Sequence, residues 1–244
     1  FISKGYPLKE IAILCRSIAR AKSLLQYFRR SRIPVTNRFV QYFEIGSIKT
    51  LNAWCQVVGK GSYESSSFFH LMKTNLGINE AVRLFRDVNK WSKYSVIDQI
   101  LQHNKNSGLP KILDHLIQMI KSLQKQSQKK SAGEIIWDIC VQAQLLRPLI
   151  ERYDYFDQLS LINVGNFIKK AQQFSSRDKE NRGLREFNLY LETLMEIGGI
   201  SVQYPEDNRK PDTITISTIH GVKGGEFSIV FVPFNRSASF PTNF

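Results

Sequence analysis

Thr215-Ile-Ser-Thr-Ile-His220-Gly-Val-Lys223-Gly-Gly-Glu226-Phe-Ser-Ile-Val-Phe-Val232 reads as strand, tight loop, strand. Ile214 to Ser217 and Ile229 to Val232 are β-branched runs, and the glycines between them allow close backbone approach. The loop sets Thr218, His220, Lys223 and Glu226 beside Gly221, Gly224 and Gly225, so its amides could cradle a phosphate; a tight structural turn suits the same residues. It is not a P-loop, which needs glycine, four residues, then Gly-Lys-Ser/Thr, and Gly59-Lys60-Gly61-Ser62 fails the same test.

The other end of the chain has matching character. Ile11 to Cys15 is a short apolar run, and Ser17 is a good N-cap for a helix with Ile18, Ala21, Leu24, Leu25 and Phe28 at spacings of three and four. Pro34 ends that helix and Val35 starts a second extended piece. Between the two ends the period is helical. Stripes run through Ile45, Ile48, Leu51, Cys55 and Val58; through Ala81, Leu84, Phe85 and Val88; and through Ile112, Leu113, Leu116, Ile117, Ile120 and Leu123. Ile135, Ile136, Ile139 and Cys140, then Val164, Phe167, Ile168, Ala171 and Phe174, continue the pattern. Polar and glycine-rich loops are expected at Gly59 to Ser67, Asn104 to Pro110, Ser127 to Gly133 and Ser175 to Gly183.

An α/β start and an α/β end around an all-helical middle predict one parallel-sheet domain interrupted by an inserted domain. The expected boundaries are 1–58 and 197–244 for the α/β domain and 59–196 for the insertion. Phe1 is not an initiator methionine, so the sequence reads as part of a longer protein.

The 244 residues are 42% hydrophobic and 23% charged, which excludes wholesale disorder, collagen and coiled coil. No apolar run approaches the roughly 20 residues of a membrane helix. Three cysteines, Cys15, Cys55 and Cys140, fit neither a disulfide framework nor paired zinc ligands, so a reducing, cytoplasmic setting is expected. His70, His103 and His115 lack ligand spacing, no metal site is expected, and Trp54, Trp91 and Trp137 are expected in the core.

A net charge of +13 favours a polyanionic partner. Between Glu10 and Glu44 there is no acid, while Arg16, Arg20, Lys22, Arg29, Arg30, Arg32 and Arg38 carry charge; this is a phosphate footprint or a solvated basic face. Arg16 differs in standing at the carboxyl end of the first strand, where it could grip a phosphate or form a structural ion pair.

Two blocks, Ile11-Ala-Ile-Leu-Cys-Arg16-Ser with its helix and Ile-Pro34-Val, then Ile216-Ser-Thr-Ile-His220-Gly-Val-Lys223-Gly-Gly-Glu226-Phe227, resemble motifs IV and V of UvrD/PcrA/Rep-like superfamily 1 DNA helicases in order and spacing. Gln41-Tyr-Phe43-Glu44-Ile-Gly-Ser-Ile48-Lys49 and Asn163-Val-Gly-Asn-Phe-Ile-Lys-Lys-Ala-Gln-Gln-Phe-Ser175 resemble two further family segments. The resemblance implies a RecA-like domain 2A, incomplete before motif VI, interrupted by a helical domain 2B. It implies Arg16 as the arginine finger on ATP, Glu226 on the ribose, Gly224 at the nucleotide, and Lys223 either at the nucleotide phosphates or supporting the loop. Thr218 and His220 would face single-stranded DNA, and Gly77, Ile78 and Asn79 would grip duplex at a single/double-strand junction.

Cys15 stands where the family commonly has an adenine-stacking tyrosine, Gly225 replaces a leucine, and Asn79 replaces a glycine. Walker A, Walker B and motif VI are not among the 244 residues. ATP hydrolysis, with Mg²⁺ and 3′ to 5′ travel, is therefore expected only with the N-terminal domains of the same protein. Two rival readings are a helicase subunit of a helicase–nuclease complex and a degenerate DNA-binding or partner-docking module.

Overall fold

In the computed structural model the described residues are 5–37, 41–61, 64–86, 88, 94–105, 108–177, 183–196, 202 and 212–234. Arg38 and Trp91, considered above, lie outside them. Two compact units emerge: Phe1–Gln41, Tyr153–Leu159 and Gln203–Phe244 form one, Tyr42–Arg152 and Ser160–Val202 the other. The expected boundary after Val58 thus falls inside the helical unit, because the helix ending there buries its apolar side among other helices.

The first unit is built on β1 (Ile11–Cys15), α1 (Ile18–Arg30), β2 (Val35–Asn37), β3 (Ile214–Thr218) and β4 (Ile229–Phe231). These strands form one parallel sheet in the order β2-β3-β1-β4. β1 lies between β3, with Ala12 opposite Thr215 and Cys15 opposite Thr218, and β4, with Ile11 opposite Ile229. Its near-continuous apolar run is what a strand covered on both faces needs, and four of its five residues are buried. Ser17 Oγ accepts the Arg20 N–H at 3.5 Å and starts α1. Ala21 and Leu25 then face Ile13, Cys15, Val35, Ile214 and Ile216 in a core that Leu24, Phe28 and Phe156 extend.

Phe156 comes from the short segment between the two parts of the helical unit. It opens α9 (Tyr155–Arg177), which begins in the sheet unit and continues in the helical one. Asp154 Oδ1 accepts the Asp157 N–H at 2.9 Å, and Asp157 Oδ2 accepts the Asp154 N–H at 3.4 Å. The Arg32 guanidinium lies 2.6 Å from Asp154 and 3.6 Å from the buried Asp157. Arg32, counted above in the basic run, is therefore held in a structural ion pair. Its backbone is left-handed, with φ 56°.

The helical unit comprises α2 (Gly46–Val58), α3 (Glu64–Leu76), α4 (Ile78–Phe85), α5 (Val96–His103), α6 (Lys111–Ser127), α7 (Ala132–Gln142), α8 (Arg147–Arg152), most of α9, and α10 (Leu184–Glu196). Most predicted stripes are buried, among them Ile48, Leu51, Cys55 and Val58, and Leu113, Leu116, Ile117, Ile120 and Leu123. α2 and α10 approach closely: Asn188 Nδ2 donates to the Cys55 carbonyl at 2.9 Å, and a Cβ on Gly59 would meet that amide at 2.6 Å. Phe167 and Phe174 meet Phe187 with ring centroids 5.8 and 5.4 Å apart.

Three expectations need correcting. Ile112 is exposed, one position off the buried stripe of α6, and Trp137 is 52% exposed on α7. The loop expected over Gly59 to Ser67 yields at Glu64 to α3, whose Phe68, Leu71 and Met72 are buried and override its serine run. All three cysteines are free and buried. Burial pushes the Cys140 thiol up to about 12 and raises Cys55 well above its ordinary range, so neither is a reactive thiolate.

The Asp154 carboxyl is lowered: burial acts to raise it, but the Asp157 N–H and Arg32 outweigh that. A depressed folded value contributes stability above the unfolded one, lost as pH falls through the folded one. Asp154→Asn should therefore lower Tm near neutral pH, with the gap to the parent closing below about pH 3.9. A gap constant down to about pH 2 would contradict this pairing.

Candidate functional site

The last register pair of the sheet's central strands is Cys15 with Thr218. Beyond it, the Ile219 N–H donates to the Cys15 carbonyl at 3.2 Å, tying the start of the loop to the end of β1. Arg16, exposed, leaves β1 at this carboxyl edge, and Thr218, His220 and the short 3-10 turn His220–Val222 leave β3 beside it. Ligands of parallel α/β sheets dock at this edge.

The loop's shape follows from its glycines. Thr218 Oγ1 accepts the Gly221 N–H at 3.2 Å, and a Cβ on Gly221 would come 2.5 Å from Ser217 Oγ and 3.1 Å from Thr218 Oγ1. Gly224 has φ +81°, a region L side chains rarely adopt. The Gly225 N–H then donates to the Val222 carbonyl at 2.8 Å. The loop folds over a crevice of about 400 Å³ lined by Thr36 and Asn37 of β2, Thr215 to Ser217 of β3, and Val222 to Gly225 with Phe227. One cation, hydroxyls and main-chain groups face this space, a set suited to phosphate or sugar oxygens.

Of the candidate residues, Lys223 and Gly224 line the crevice. Arg16, Thr218 and His220 share the carboxyl edge outside its lining. Glu226 is exposed and lies three residues before β4, whose Ile229 pairs with Ile11 at the amino end of β1. Its neighbours Gly225 and Phe227 both line the crevice. Sequence reading missed Thr36 and Asn37; their signal was position at the end of a parallel strand.

In the helical unit Gly77, Ile78 and Asn79 are exposed at the start of α4. Gly77 has φ +85° with nothing within 4 Å of a Cβ, so conformation and not space requires glycine there. Among the described residues no three His, Cys, Asp or Glu side chains gather into a metal-binding group. No helix among them is long and apolar enough to cross a membrane.

The tight Gly221 contact gives a stability test. Gly221→Ala should shift the urea midpoint down, corresponding to about 1–3 kcal/mol of overpacking. An unchanged midpoint would mean that the Ser217 and Thr218 hydroxyls yield freely.

Comparison with known proteins adds the family. A family model for the UvrD-like helicase C-terminal domain matches residues 2–244. The chain is 25% identical over 238 residues to an ATP-dependent helicase/nuclease subunit of Oceanobacillus iheyensis, covering 92% of this chain and 18% of that protein. It is 24% identical over 245 residues to the ATP-dependent DNA helicase PcrA of Staphylococcus epidermidis, and 23% over 239 residues to PcrA of Bacillus subtilis. Those matches cover 97% and 96% of this chain and 32% of each relative. The chain thus spans about a third or less of the curated relatives it matches. With its partial RecA-like parallel sheet interrupted by helices, it belongs to the UvrD-like helicase C-terminal domain family.

Proposed function

We propose that this chain supplies the second half of the motor of an ATP-dependent DNA helicase that moves 3′ to 5′ along a single strand. The observation that carries the reading is the Cys15–Thr218 register pair, which joins two motif-bearing segments about 200 residues apart at one sheet edge.

In this reading Arg16 is the arginine finger. Its exposed, planar guanidinium projects from the strand end toward ATP held on the preceding domain of the same protein, and it stabilises the charge spread over the transferring phosphoryl group. Glu226 accepts a hydrogen bond from the ribose. Lys223 and Gly224 bind phosphate oxygens or support the loop, for which the crevice they line is roomy enough. The Mg²⁺ ligands and Walker residues belong to polypeptide outside this chain. Thr218 and His220 contact the single strand, and Gly77, Ile78 and Asn79 grip duplex at the junction, where a left-handed glycine lets backbone amides approach phosphates. A cytoplasmic setting suits the three free thiols.

A second reading, the helicase subunit of a helicase–nuclease complex, is favoured by the likeness to the Oceanobacillus iheyensis protein, whose name carries both activities. A nuclease domain in the full-length polypeptide or its stable partner separates the two. If the intact protein bound DNA without DNA-stimulated ATP turnover, the docking-module reading would replace both.

Two measurements check the residue roles in the full-length protein. Arg16→Ala should lower ATP turnover by about a thousandfold, as loss of an arginine finger does. Retained turnover would overturn the assignment. Gly77→Asp should weaken binding of junction DNA about tenfold, some 1.4 kcal/mol, with single-strand binding unchanged. Equal junction affinity would remove that site.

A further inference from the structure

A second cleft lies in the helical unit, and none of the candidate site residues named above lines it. Its volume is about 710 Å³, and Lys60, Lys121, Lys125 and Arg185 line it together with Gln124, Gln128 and Ser127, against a single acid, Glu186. The four cations come from three separate places: the end of α2, the second half of α6 and the start of α10. Lys121 and Lys125 stand one helical turn apart, about 6 Å along the axis, on the same face of α6. Arg185 is the second residue of α10, so the exposed N–H groups and positive end of that helix add to the same field. All four are exposed, and among the described residues none is in an ion pair within 4 Å. The Glu64 carboxyl, raised chiefly by burial, interacts with Lys60.

Lys60 is held in an unusual way. The Gly59 N–H donates to the Cys55 carbonyl and the Gly61 N–H to the Gln56 carbonyl, both at 2.8 Å, which closes the end of α2. The residue between them takes a left-handed backbone, and here it is a lysine with φ 51° where glycine is the usual occupant. Glycine would relieve that strain, yet a long cation sits at the rim of a basic cleft.

We infer that this cleft is a docking site for the phosphodiester backbone of DNA, formed by Lys60, Lys121, Lys125 and Arg185. Separated point charges suit a repeating phosphate ester read without regard to base, on a wall that Gln124 Nε2 and Ser127 Oγ brace by donating to the Val57 and Gln124 carbonyls. The inference rests on the reading that the protein acts on DNA, and it adds a contact apart from Gly77–Asn79 and from the β3–β4 loop.

The test is a salt titration of DNA affinity by fluorescence anisotropy, using the full-length protein with single-stranded and with duplex-bearing oligonucleotides. The variant is Lys60→Gly with Lys121→Gln and Lys125→Gln; glycine suits the left-handed site, and both glutamines are good helix formers, so Tm should hold. A control carries Lys105→Gln, Lys111→Gln and Lys169→Gln, three exposed cations outside the cleft lining. The cleft variant should lose at least tenfold in duplex affinity, and its slope of log K against log salt should fall by about 2 to 3, near 0.9 per lost phosphate contact. Parent-like affinity and slope, or an equal loss in the control, would overturn the site. A parent protein that binds no DNA at low salt would overturn the DNA reading itself, and the site with it.

Discussion

Parallel pairing of β1 with β3 and β4 is the constraint on which the sheet unit depends. Neighbouring parallel strands cannot be joined by a tight hairpin; the chain must travel away and return. Here it returns after roughly 200 residues, and closing so long a loop costs only slightly more than closing a shorter one, because the entropy grows logarithmically. The intervening helices carry their own core of Phe68, Phe167, Phe187 and many aliphatic side chains. Insertion of one unit into another is therefore compatible with both cores.

The same pairing concentrates chemistry. A parallel sheet brings all its strand ends of one polarity to one edge, where backbone groups that no longer pair within the ladder are available to ligands. Arg16 and Thr218 stand at that edge because Cys15 and Thr218 are register partners. The loop beyond Thr218 then needs small residues: Gly221 avoids two hydroxyls, and Gly224 takes a left-handed turn. Glycine spacing, strand register and crevice shape are one arrangement seen at three levels.

Much of this was legible in the sequence. The strands announced themselves as β-branched runs, Ser17 marked the start of α1, and most helical stripes became buried faces because period and burial share one cause. Local pattern failed where the deciding partner was remote. Arg32 looked like part of a basic face, but Asp154 pairs with it from 122 residues away. Trp137 looked like core by residue type, yet its position on α7 leaves it exposed. The serine run near α3 read as loop because the apolar residues that anchor it begin only at Phe68. Lys121 and Lys125 are one helical turn apart, but Lys60 and Arg185 join them only when α2, α6 and α10 fold together.

Hydrogen exchange of the full-length protein tests most directly whether the two distant ends form one cooperative sheet. Ile216 is fully buried in β3, and Ile216→Ala should cost about 2–5 kcal/mol there. In that variant the amides of β1, Ala12 to Cys15, and of β3, Thr215 to Thr218, should lose protection together and by the same factor. Faster exchange confined to β3, with β1 as protected as in the parent, would contradict a single cooperative sheet.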